Sequence, residues 1–61
     1  MNREIVERYV GKIVRIRLGD DFVPPPGIIT MIVDDESFLF ETKVKTSVLP
    51  LDELKEISPV V

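Results

Sequence analysis

The chain contains no cysteine, no histidine and no tryptophan. Without cysteine there is no disulfide and no thiolate metal site. Without histidine, the commonest remaining transition-metal ligand and the usual proton carrier near neutral pH are missing too. No apolar run approaches the ~20 residues that a membrane helix needs. The charged amino terminus, MNREIVERYV, lacks the apolar stretch of a secretory signal. Positive charge is also scarce, with 8 basic side chains against 11 acidic ones and a net charge of −3. Domains that hold nucleic acid draw much of their affinity from phosphate neutralisation and are usually basic, so this balance disfavours a strong non-specific binder. No group of residues has the spacing of an active site. We therefore expect no enzymatic activity, no metal and no cofactor.

What remains is a short, apolar-rich chain. Its 61 residues make one domain, 1–61, and 44% of them are hydrophobic, too many for a disordered segment. A domain of this size buries only about 60% of its unfolded surface, and small domains add disulfides, metals or partner subunits. Self-association is the device this composition leaves. The expected location is the cytoplasm, and the initial methionine suggests a complete small protein.

Residues 3–10 have the pattern of a short helix. Asn2 is placed to cap it, Glu4 suits the first turn, and Gly11 can end it. Ile5, Val6, Tyr9 and Val10 share one face, which must dock on something because two turns are unstable alone. Tyr9 and Phe22 are expected in the core or at the helix contact. KIVRIRL (12–18) alternates, with Val14, Ile16 and Leu18 facing one way and Ile13, Arg15 and Arg17 the other. Gly19-Asp20-Asp21 reads as a turn. Pro24, Pro25 and Pro26 cannot donate to a sheet ladder, so they mark an edge, a bulge or a polyproline stretch. IITMIV after Gly27 reads as a strand and Asp34-Asp35-Glu36 as a turn. Residues 37–49 form either one bent strand or two strands about a minimal turn at Thr42–Lys45. In LDELKEI, Leu51, Leu54 and Ile57 fit a helical turn or a twisted strand equally well. The tail 58–61 is expected to be loose or an edge. Strands therefore fall within 12–57.

A short helix followed by about five curved strands in this order resembles the Sm-like family, which includes the Hfq-type proteins. KIVRIRL with its GDD turn, GIITMIV, the acidic DDES turn, SFLFE and VLPLDELKEI carry the resemblance over residues 2–59. It implies an all-β fold: a small, strongly bent, five-stranded SH3-like barrel with an amino-terminal α-helix. It also implies homo-oligomeric rings, with the fourth strand of one copy against the fifth of the next. Those edges correspond to Lys45, Thr46, Ser47, Val48 and Leu49, and to Leu54, Lys55, Glu56 and Ile57. The family's aspartate lies six residues after the glycine. Here Val33 holds that position and Asp34 comes one later, so a bulge or an insertion is required.

The resemblance makes RNA the first expected partner. Arg15 and Arg17, with Lys43 and Lys45 at the same period-two spacing, form the candidate basic stripe, and Ser37 and Phe38 follow the turn that reads bases in the family. The alternative is a protein-interaction scaffold without nucleic acid, favoured by the acidic balance and by Asp52, which would repel phosphate. The acidic turn 34–36 is read as solvated rather than as a cation site, because it lacks calcium-loop spacing. VPPPG, a potential ligand for a proline-recognising groove, is read as shaping a loop.

Overall fold

The computed structural model describes residues 1–60. A helix, α1 (Arg3–Glu7), precedes five strands: β1 (Ile13–Leu18), β2 (Gly27–Ile32), β3 (Ser37–Glu41), β4 (Thr46–Pro50) and β5 (Leu54–Pro59). Single 3₁₀ turns, Gly19–Asp21 and Leu51–Glu53, sit after β1 and after β4. The strands form one antiparallel sheet in the order β4-β3-β2-β1-β5. β4 and β5 are its two free edges and do not pair with each other, so the sheet is open.

The alternation in β1 sets the inner face. Val14, Ile16 and Leu18 are buried with Ile29, Phe38, Phe40, Leu51, Leu54 and Val6 of α1. In β2 the parity changes midway. Ile29 lies opposite Phe40 and Ile32 opposite Phe38, so three steps on β2 match two on β3. This is a β-bulge. It moves Met31 to the outer face, opposite Leu39, where it is 51% exposed.

Segment 37–49 resolves into two strands, with the Thr42 amide donating to the Lys45 carbonyl at 2.9 Å. LDELKEI holds both expected forms in succession, a 3₁₀ turn and then a strand. β5 runs on to Pro59, two residues beyond the expected limit, because Arg15 and Val14 still pair with Ser58 and Pro59. The three prolines stay outside every strand and connect the first 3₁₀ turn to β2. Asp20 and Asp21 adopt left-handed φ values of 65° and 57°, which aspartate tolerates better than most residues.

Two expectations about the amino-terminal half need correction. The helix ends at Glu7, not at residue 10. Val10 instead bridges Ile29, and the Gly11 amide, at φ 85°, donates to the Ile29 carbonyl at 2.8 Å. The sheet captures the segment before a third helical turn can form. Of the expected helix face only Val6 is fully buried, while Tyr9 packs partly against the core. Phe22 is neither core nor helix contact. It is 60% exposed, because its carbonyl closes the turn onto the Leu18 amide at 2.8 Å in a connector outside the sheet.

The Asn2 side chain accepts a hydrogen bond from the Glu4 amide at 2.8 Å, as its N-cap position requires. Asn2→Ala removes that acceptor from a helix too short to persist unaided. Urea unfolding should show a loss of about 1 kcal/mol.

Candidate functional site

The outer face of the sheet is unusually apolar. Antiparallel residues directly opposite each other share a face. Ile13, Ile28, Glu41 and Thr46 therefore form one row across four strands, and Met31, Leu39 and Val48 form another. At one end this face deepens into a groove of about 680 Å³, lined by Ile13, Pro25, Pro26, Gly27 and Ile28 on one side. Glu41, Thr42, Lys43 and Val44 line the other. Ile13 is 53% exposed and Val44, at the tip of the β3–β4 turn, 86%.

The groove's own lining carries one cation, Lys43, and one anion, Glu41. Lys45 closes the same turn as Lys43. Arg15 follows Ile13 by two residues on β1 and so shares its outer face, toward the end where β3 runs into the turn. Among the described residues, none of these three cations is in an ion pair. Arg17 is different: it pairs with Asp21 at 3.0 Å and with Glu56 at 3.7 Å. The candidate stripe is thus a cluster of three free cations with a fourth neutralised on its flank.

Ser37 is elsewhere. It sits at the opposite end of the β3–β4 hairpin, beside a second cavity of about 550 Å³ lined in part by Asp35, Glu36, Leu51 and Asp52. The carboxylates there are partly engaged. Asp34 accepts from the Glu36 amide at 2.8 Å, and Asp35 is paired with Arg3, which also binds Glu7 at 2.9 Å. The hydrogen bond that Arg3 donates to Glu7 raises the Arg3 pKa; burial opposes it, and the charges of Asp35 and Glu7 add to the rise. Among the described residues, no group of three acidic side chains converges as a metal site would.

Phe38 has no free ring face. It is 0% exposed at the centre of the core, so the expectation of a nucleic-acid contact there gives way to a structural role. The reason is register, since Phe38 lies opposite Ile32 and Leu49 on the inner face. Of the expected interface residues, Lys45 lies in the turn before β4; Thr46, Ser47, Val48 and Leu49 lie on β4, and Leu54, Lys55, Glu56 and Ile57 on β5. Leu54 contributes backbone only, because its side chain is buried in the core. Leu49 and Ile57 also pack partly inward.

Pro25, Pro26 and Val44 were not expected at a site. A signal for Val44 exists in the sequence, an apolar residue between two lysines in a turn (TKVK). Comparison of the chain with protein-family models, with curated proteins and with solved structures gives no match in any of the three. Among the described residues, no helix is long and apolar enough to cross a membrane.

Proposed function

We propose that this chain is a non-enzymatic, self-assembling scaffold of the Sm-like kind. The free edge of β4 in one copy pairs with the free edge of β5 in the next, extending the sheet from copy to copy. The observation that carries this reading is the presence of two unpaired edges, each about 5–6 residues long, at opposite margins of one small sheet. Unpaired edges invite strand addition, and a repeated head-to-tail contact closes into a ring when its rotation permits. Assembly also supports a domain too small to build a large core.

The protein-scaffold form of the reading is preferred to the RNA-associated one. Phe38 offers no stacking surface, and the turns joining β2 to β3 and β4 to β5 carry Asp34, Asp35, Glu36, Asp52 and Glu53. Removing residues 50–61 would take Leu51 and Leu54 out of the core, so a point variant on the edge is the cleaner test. Val48 is 61% exposed on β4, and a lysine there blunts strand pairing without entering the core. Sedimentation velocity should show Val48→Lys at the mass of one 7.0 kDa chain, with the circular dichroism of the parent retained. An unchanged sedimentation coefficient relative to an oligomeric parent would refute edge pairing.

A further inference from the structure

We propose that the outer-face groove binds an extended, acidic peptide segment of a partner protein, with aliphatic side chains seated in the groove and carboxylates on its rim. The inference extends the scaffold reading but is separable from edge pairing, because no groove-lining residue belongs to β4 or β5.

Three observations carry it. First, the lining is aliphatic and proline-rich, from Ile13, Pro25, Pro26, Ile28 and Val44. Its volume of about 680 Å³ is that of an ordinary ligand cleft. Second, Val44 is the most exposed large apolar side chain described, at 86%, and stands at the mouth of the groove rather than singly on a polar surface. Third, the charge is complementary to an anion. Lys43 in the lining, with Lys45 in the same turn and Arg15 two residues along β1 from Ile13, outnumbers Glu41, and among the described residues none of the three cations is in an ion pair.

The same residues favour peptide over nucleic acid. Bases bind single-strand surfaces by stacking on aromatic rings, and no aromatic residue lines the groove. Glu41 lines it as well and would repel a phosphate carried at every step of a nucleic-acid backbone, whereas an extended peptide can present a backbone amide to it and hold its carboxylates beside Lys43. A second copy is disfavoured by charge, since apposing this rim to its own equivalent would set lysine against lysine. About seven extended residues span ~24 Å, close to the 25 Å extent of the domain.

The test is fluorescence anisotropy with a labelled peptide of about seven residues that alternates aspartate and leucine. A peptide alternating lysine and leucine, and labelled oligo-U, serve as comparisons. The acidic peptide should bind saturably to the full chain and weaken several-fold between about 50 and about 300 mM salt. Val44→Glu, and separately Lys43→Glu with Lys45→Glu, should each weaken it by at least about tenfold. All three side chains are exposed, so both variants should keep the parent's circular dichroism. Val48→Lys should leave peptide affinity unchanged, even where it alters assembly. Four results would overturn the proposal: no saturable binding of the acidic peptide, equal binding of the lysine peptide, tighter binding of oligo-U, or acidic-peptide binding indifferent to Val44→Glu. A mass that falls on Val44→Glu, without peptide binding by the parent, would assign the groove to a second copy instead.

Discussion

Replacing Gly27 by alanine is expected to remove a large share of the domain's stability. Gly27 opens β2 opposite Val14, where the backbone of β3 comes so near that a Cβ would collide with the Glu41 carbonyl oxygen. It would also lie 3.0 Å from Cζ of buried Phe40 and 3.1 Å from the Glu41 carbonyl carbon. Two of these three atoms belong to backbone inside a sheet, which cannot yield as a flexible side chain can. Overpacking of this kind costs about 1–3 kcal/mol, and more when backbone must move. A 61-residue domain has only about 3–9 kcal/mol in total at ordinary stability per residue. Urea unfolding followed by circular dichroism should show a large loss for Gly27→Ala and a larger one for Gly27→Val. Gly19→Ala is the control. Its Cβ would meet nothing nearer than 4.0 Å, and the change should stay within about 0.5 kcal/mol. Equal effects at the two glycines would contradict the close approach of β2 to β3.

The second large effect is expected at Phe38. Its ring is the largest fully buried side chain, packed with Ile16, Ile29, Leu54 and Val6 in one cluster. Phe38→Ala removes most of that volume, and changes of this type cost about 3–5 kcal/mol. That is comparable to the whole stability of so small a domain, so the variant should be largely unfolded at room temperature. Phe38→Leu leaves a smaller cavity and should remain folded with reduced stability. Thermal unfolding of the pair checks this. A Phe38→Ala protein with parental stability would mean that the ring is not in the core.

Much of this fold was legible in the residues. Clean alternation in KIVRIRL put Val14, Ile16 and Leu18 on one face, and all three are buried. The turns at 19–21 and 34–36 lay where glycine and aspartate placed them, and of the two readings of 37–49 the structure forms the pair of strands about Thr42–Lys45.

Phe38 was harder to place because Leu39 interrupts an otherwise polar outer set of Ser37 and Glu41. Phe38 and Phe40 alternate with Ser37 and Leu39, and only pairing with β2 decides which set turns inward. The helix was read too long because Ile5, Val6, Tyr9 and Val10 satisfy helical spacing. The competing pull of β2 on Val10 and Gly11 is a long-range contact that local pattern does not encode. The groove was invisible for the same reason. Its walls come from Ile13, Pro25, Pro26 and Val44, which the antiparallel register brings together from three separate segments.

The central claim is that the two free edges pair between copies, and the mass of the intact chain in solution tests it most directly. Light scattering coupled to size exclusion, at concentrations spanning about two decades, separates true assembly from weak association. Edge pairing predicts a discrete species at a multiple of the 7.0 kDa chain, stable on dilution. A single species at 7.0 kDa across the whole range would contradict it.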